Sequence, residues 1–362
     1  MIKQPTVSVI MATYNHADYV AQAIESVLSQ VGVDFEFLIA DDGSVDHTRE
    51  VVASIPDSRI RFFPNESNRG ACVVTNELIG KASGEFIALV NSDDYWMGTD
   101  KLAYQTQFLR DNPNVGACFG QAQFVDKAGI KIDRASLPFG KVFQQKNRTQ
   151  GEWLRFFFDV GNCLCHPTML IRRSCYAELG MYSNRLRQLP DFDMWIRLVK
   201  QYPIHISDRE LINFRILPGE NASSQTVGNS IRTINEHYLI ADTFFDNVEA
   251  SQLVNGFGDI LKNKDIPSKE HLDIEKALLY FIDNQWLGKP YQLIGLLKVS
   301  RLLNNPVHHA ILVDTYGIDD RWFQFKMAEI DALRPKMTAT IRHQKLRLYH
   351  AWKRLSGKFS RS

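Results

Sequence analysis

The chain of 362 residues is predicted to be an α/β protein: a mostly parallel sheet flanked by helices, followed by a helical C-terminal extension. Two observations predict it. Four short apolar runs in the first hundred residues lack polar alternation, and each is followed by a segment with helical spacing. Strands covered on both faces read this way, because helical crossovers bury both sides of a parallel sheet. Downstream of Ile231 the pattern is mainly helical, without repeats or low-complexity tracts.

Val7 to Ala12 is the first apolar run, and Val20, Ile24, Val27 and Leu28 follow at helical spacing. Phe35 to Ala40 is the second strand, with a helix over Asp46 to Ser54. Ile60 to Phe63 and a helix over Cys72 to Ala82 come next, then Phe86 to Val90 as the fourth strand. A helix over Lys101 to Asp111 is closed by Asn112-Pro113. Beyond it Val115 to Phe119 and Thr168 to Ile171 read as strands, Trp153 to Phe158 and Phe192 to Gln201 as helices, and Pro138 to Gln150 as a mobile loop. Breaker residues crowd Pro218 to Ser224, so the boundary is expected just beyond them: 1–230 as the first domain and 231–362 as the second. Two domains also suit one per roughly 150 residues.

Composition excludes several classes. Hydrophobic residues at 44% and charged ones at 23% are ordinary for a globular chain. A formal net charge of +1 gives no global attraction to nucleic acid. No signal peptide opens the chain, and no apolar stretch reaches the roughly 18 residues needed to span a bilayer, so a cytoplasmic protein is expected. The 5 cysteines, an odd count, do not suggest a disulfide framework. Cys163, Cys165 and His166 lack a second ligand pair at zinc spacing.

Three strand ends carry polar residues to the same edge of the sheet: Thr13-Tyr14-Asn15, Asp41-Asp42-Gly43-Ser44 and Asn91-Ser92-Asp93-Asp94. One Asp pair after a strand is a common turn, since Asp bonds its own backbone there. Three such ends on neighbouring strands form a site, because open α/β sheets bind ligands beyond the carboxyl ends of their strands. Adjacent carboxylates there suit Mg²⁺ or Mn²⁺ carrying a phosphate. Asn68-Arg69-Gly70 precedes a helix, and its free N–H groups would favour an anion.

At these residues the chain resembles the inverting nucleotide-sugar glycosyltransferases of family 2, with the Rossmann-like GT-A fold, of the bacterial cell-surface polysaccharide type. The resemblance runs through Val7 to Asn15, Ala40 to Asp46, Asn68 to Gly70 and Ala82 to Asp94. It continues through His166-Pro167-Thr168, Arg172-Arg173 and Leu189 to Leu198. It implies a hexosyl- or N-acetylhexosaminyl-transferase that adds a sugar to a glycan or lipid-linked acceptor, with a UDP-sugar as the favoured donor.

Residue by residue, the resemblance puts Thr13, Tyr14 and Asn15 along the nucleotide and gives Asp41 or Asp42 to the base. Asn68, Arg69 and Gly70 go to the same ligand, Asp93 to the ribose and a metal-bound water, and Asp94 to Mn²⁺ or Mg²⁺ directly. His166 would face the sugar or acceptor, or serve the fold. Asp191 holds the position of the catalytic base, where the bland alternative is a helix cap. Asp193, two residues on, is expected to pair with Arg197 on the helix surface. Pro190, Asn91, Thr75 and Leu217 depart from the family pattern, which commonly has Glu, Asp, Arg and His there. A non-catalytic nucleotide- or glycan-binding module and a sugar-phosphate nucleotidyltransferase are the alternative readings. The second would need a Gly-rich, Arg-containing loop where Thr13-Tyr14-Asn15-His16 stands.

The C-terminal segment is basic, with no acidic residue after Asp331 and nine Lys or Arg between Arg334 and Arg361. Ile341, Leu348, Trp352, Leu355 and Phe359 share one helical stripe. Such a segment suits peripheral contact with an anionic membrane, at its cytoplasmic face, or docking on protein.

Overall fold

A computed structural model describes residues 4–219, 226–282 and 288–330. The chain divides into two compact units after Ile260.

The first unit is built on a mixed sheet of order β3-β2-β1-β4-β7-β6-β8-β5. Its strands are β1 (Val7–Thr13), β2 (Phe35–Asp41), β3 (Ile60–Pro64), β4 (Phe86–Leu89), β5 (Tyr95–Trp96), β6 (Ala117–Val125), β7 (Leu170–Arg172) and β8 (Ile204–Arg215). β3, β2, β1 and β4 run parallel, β7 is antiparallel to both β4 and β6, and β8 runs parallel to β6. All four strands expected in the first hundred residues are present.

Their apolar runs are explained by burial on both faces. Val7, Val9 and Met11 of β1 pack with Val20, Ala23, Ile24 and Val27 of α1 (Val20–Leu28), all at 0% exposure. Helices α2 (Thr48–Ala53), α3 (Ala71–Lys81) and α4 (Lys101–Asp111) complete the repeating strand-helix half.

In the second half of this unit, α5 (Gln150–Val160) starts at a capping box. Thr149 and Glu152 satisfy each other's backbone N–H groups, so the helix begins three residues before the apolar pattern that betrays it. The stretch from 138 to 149 is irregular yet tethered, with the Asn147 amide bonded to both backbone groups of Ile206 at 2.9 and 2.7 Å. α6 (Arg173–Leu179) and α7 (Pro190–Gln201) follow, then α8 (Val227–Asp242) and α9 (Ala250–Phe257). This compact unit continues past residue 230. α8 donates buried Glu236 to the segment ahead of α7, and Phe257 of α9 packs edge-on against Phe158 of α5 at 5.8 Å.

In the second unit the described elements are helices, as expected: α10 (Lys269–Leu278), α11 (Gly288–Leu303), α12 (Pro306–Tyr316) and α13 (Asp320–Glu329). They surround Ile274, Val299, Leu312 and Ile318. Asn305 caps α12 by accepting from the N–H groups of Val307 and His308. The basic stripe from Ile341 to Phe359 lies outside the described residues. Among those described, no helix is long and apolar enough to cross a membrane.

Candidate active site

Parallel pairing in register sets Thr13 beside Asp41 at the ends of β1 and β2. The Asp42 N–H then donates to the Thr13 carbonyl at 2.8 Å. Thr13 Oγ1 and Asp41 Oδ1 are buried and have no hydrogen-bond partner among the described residues. Such atoms are uncommon in folded proteins and mark unused bonding capacity where the ligand is expected. Asp41 Oδ2 is fully engaged, accepting from Ser44 N–H at 3.1 Å and from the Arg49 guanidinium at 2.9 and 3.1 Å.

Asn15 turns the chain out of β1 at φ +54°, a left-handed conformation that Asn tolerates. Its N–H donates to Ser44 Oγ, and its own Oδ1 accepts from Val45 N–H, both at 2.9 Å. The first two strand-end loops are therefore one bonded surface, on which Tyr14 stands 41% exposed.

Asp42 overturns one detail of the sequence reading. The N–H groups of Arg69 and Gly70, expected to be free for a ligand anion, each donate to the Asp42 carboxylate at 2.8 Å. An internal anion already satisfies them. Gly43 makes this closure possible: at φ +76°, a Cβ there would lie 2.5 Å from the Ser67 carbonyl carbon. The Arg69 side chain turns outward to pair with Glu77.

The acidic pair after β4 is buried, with Asp93 8% and Asp94 2% exposed. Asp94 Oδ2 accepts from the Asn91 amide at 3.0 Å, and Oδ1 accepts from the Arg215 N–H at 2.8 Å. Asn91 thus does what the Asp common at that position could not, since a carboxylate has no hydrogen to donate. Burial, together with the neighbouring Asp93 charge, pushes the Asp94 carboxyl well above the usual range, and the Arg215 and Asn91 donors only partly offset this. Two crowded, desolvated carboxylates are the electrostatic setting that a divalent cation relieves. Among the described residues no cluster of three His, Cys, Asp or Glu ligands exists. A Mg²⁺ site needs only one or two carboxylates, the other positions going to phosphate oxygens and water, so Asp93 and Asp94 are residues that could hold such a cation.

Asp191 is the second residue of α7, with Leu189 at the N-cap. It is therefore not the capping residue of that helix. Asp191 Oδ2 accepts from the Asn162 amide at 2.8 Å, and Oδ1 from the Phe192 N–H at 2.8 Å. Burial raises its pKa to about 6 against those donors. Burial raises the Cys165 thiol well above its usual range, and the charges of Asp94 and Asp191 add to the rise, so both carboxylates lie within electrostatic reach of it. Asp193 pairs with Arg197 at 2.8 Å, as its spacing predicts.

His166 bonds Tyr182 Oη through Nε2 at 2.8 Å and meets the Trp195 ring edge-on at 5.3 Å. Burial drops its pKa to about 4, so the ring is neutral at pH 7.

Comparison with known proteins decides the family. The profile of "Glycosyl transferase family 2" matches residues 8–180. The UDP-Glc:alpha-D-GlcNAc-diphosphoundecaprenol beta-1,3-glucosyltransferase WfgD of Escherichia coli is 37% identical over 195 residues, which is 54% of this chain and 70% of that protein. The chain belongs to glycosyltransferase family 2. The succinoglycan biosynthesis protein ExoO of Rhizobium meliloti is 46% identical over 92 residues, 25% of this chain and 26% of ExoO. This glycosyltransferase spans 45% of an uncharacterized Rickettsia felis relative, with 28% identity over 291 residues, 79% of the chain. The structure of S. aureus TarS residues 1-349 with UDP-GlcNAc superposes with a TM-score of 0.56 at 18% identity, covering 90% of this chain and 91% of that one. That superposition supports the GT-A fold.

The family match ends before Asp191, and three partners of the candidate carboxylates escape motif reading. Arg215 closes β8 onto the acidic pair. Its Nε donates to the Asp93 carbonyl at 2.8 Å, and its guanidinium lies 5.0 and 5.4 Å from the centres of the Tyr19 and Tyr95 rings. Asn162 and Glu236 hold Asp191 and the segment before it. None of the three has a local signal, because each acts on residues far away in sequence.

Proposed function

We propose that this glycosyltransferase is an inverting, metal-dependent enzyme. It moves a hexose or N-acetylhexosamine from a UDP-sugar to a hydroxyl of a glycan or lipid-linked acceptor in cell-surface polysaccharide synthesis. The observation that carries the reading is the pairing of two unlike acidic sites. Asp93 and Asp94 form a crowded pair at the end of β4, while Asp191, on a separate element, has one donor on each oxygen and a pKa raised to about 6.

The acceptor's O–H gives its proton to Asp191 as its oxygen bonds the sugar's anomeric carbon. The bond from that carbon to the diphosphate breaks on the opposite face, and the nucleoside diphosphate leaves with the electron pair. A carboxylate with a pKa near 6 is ionised at pH 7 and is a stronger base than an exposed Asp. Asp94, with Asp93 beside it, would hold Mn²⁺ or Mg²⁺. The cation supplies charge neutralisation to the departing diphosphate. Thr13, Tyr14, Asn15, Asp41 and Asp42 form the nucleotide side of the site, with Asn68, Arg69 and Gly70 behind Asp42. His166, neutral and buttressed by Tyr182 and Trp195, lends shape to the sugar side. The basic C-terminal segment would bring the enzyme to an anionic membrane where lipid-linked acceptors reside.

A thermal-shift series with UDP, GDP and ADP, each with and without Mn²⁺, tests this reading. A ligand that binds only the folded state stabilises it by about 2.7 kcal/mol at a hundred times its Kd. UDP with Mn²⁺ should raise Tm most, and Asp94→Ala should abolish the Mn²⁺ increment. Equal shifts with and without metal would contradict it.

A further inference from the structure

α8 carries two adjacent buried polar residues, Glu236 and His237. The Glu236 carboxylate accepts three consecutive backbone N–H groups: Arg187 onto Oε1 at 2.9 Å, then Gln188 and Leu189 onto Oε2 at 2.8 Å each. Those residues are the approach to α7, and Asp191 is the second residue of that helix. The N-cap position itself makes no side-chain bond, since Leu189 stands there and Pro190 follows. The donors of this segment are met from another helix, by the two oxygens of one buried side chain.

His237 meets the residue that follows Asp191. Its ring packs 5.5 Å from that of Phe192, the residue whose N–H donates to Asp191 Oδ1. His237 Nδ1 lies 2.9 Å from the Thr233 carbonyl oxygen. A carbonyl only accepts, so Nδ1 carries the proton and the ring orientation is set. The backbone before Asp191 is thus bonded by Glu236, and the residue after it packs on His237, the next residue of the same helix.

We propose that Glu236 is a positioning residue for sugar transfer: by fixing the backbone of Arg187, Gln188 and Leu189, it sets where the Asp191 carboxylate stands. The inference rests on Asp191 being the base. It extends the catalytic apparatus to α8, well beyond the stretch that marks the family. Glu236→Gln keeps the size of the side chain but replaces one acceptor oxygen with an NH₂ facing backbone donors, so the approach to α7 must shift. A displacement near 1 Å costs on the order of 10² in rate.

The test compares wild type, Glu236→Gln, Asp191→Asn and the double variant. Turnover is read as UDP release from UDP-glucose or UDP-N-acetylglucosamine with Mn²⁺, and nucleotide binding as the thermal shift with UDP. Glu236→Gln should lower kcat about 10- to 100-fold while donor KM and the UDP shift stay within about twofold. In the Asp191→Asn background it should cost less than about twofold more, because a residue acting through Asp191 has nothing left to position. Wild-type kcat in Glu236→Gln, the same fractional loss in both backgrounds, or loss of the UDP shift with turnover would each overturn the proposal. Normal turnover in Asp191→Asn would bring down the base reading and this inference with it. A crippled Asp191→Asn beside an active Glu236→Gln would bring down this inference alone.

Discussion

Arg215 grips the acidic pair from two sides, its N–H donating to Asp94 Oδ1 and its Nε to the Asp93 carbonyl, each at 2.8 Å. The rest of the guanidinium reaches the carbonyls of Asp126 and Lys127 and the Gln22 side chain. One residue at the end of β8 therefore joins the loop after β4, the loop after β6 and α1.

Replacing Arg215 should loosen that junction. A lysine in its place has a single ammonium and cannot span the same acceptors. Arg215→Lys is expected to cost roughly 1–2 kcal/mol of stability, because the buried Asp93 carbonyl and the part-buried Lys127 carbonyl and Gln22 side chain lose their donor. It should also weaken Mn²⁺-dependent UDP binding. Urea unfolding and a Mn²⁺ titration check the two effects, and an unchanged unfolding midpoint would refute the first.

The pH dependence of turnover should follow Asp191. A base must be ionised, so kcat at saturating donor and Mn²⁺ should rise with pH and level off above about 6, where burial has put this group. An ordinary Asp would place that limb near 3.8. His166, with its pKa near 4, remains neutral across the range and contributes no competing limb. A kcat–pH profile with its acid limb below pH 5 would be the contrary result.

Lys101 opens α4 at 0% exposure, its Nζ held by Gln105 Oε1 at 2.9 Å and by the Trp96 ring at 4.2 Å. Burial lowers its pKa from 10.5 to about 7. Between those values the unfolded chain binds the extra proton, so stability should rise with pH from about 7 towards 10. Lys101→Met should flatten that rise and add roughly 1–2 kcal/mol at neutral pH, since a buried charge is replaced by an apolar chain of similar length. Tm measured against pH for both proteins decides it.

The basic C-terminal segment calls for a direct binding measurement. Full-length protein should sediment with vesicles containing anionic phospholipid and be released by high salt, as polybasic attraction is screened. A chain ending near Pro335 should remain in the supernatant. Equal sedimentation of the two would remove the membrane reading.

The parallel half of the sheet was legible because Val7–Thr13, Phe35–Asp41 and Phe86–Leu89 are buried on both faces and read as unbroken apolar runs. The strand Ile204–Arg215 was not, since Asp208, Arg209 and Glu210 break its apolar pattern where the residues meet solvent. Tyr95–Trp96 is only two residues long and exists through pairing with Asn213 and Ile212. At the candidate site, Asp42, Asp94 and Asp191 stood out through local motifs. Arg215 and Glu236 did not, because their bonds join residues about 120 and 50 positions away. The closure of Arg69 and Gly70 by Asp42 was hidden for the same reason.

The most direct measurement is the steady-state kinetics of Asp191→Asn, which keeps the side chain's size and removes its basicity. With Asp191 taking the acceptor proton, kcat should fall by roughly 10²–10⁴, or about 3–5 kcal/mol of barrier, while donor KM and UDP binding stay near wild type. Turnover close to that of the wild-type protein would contradict the account.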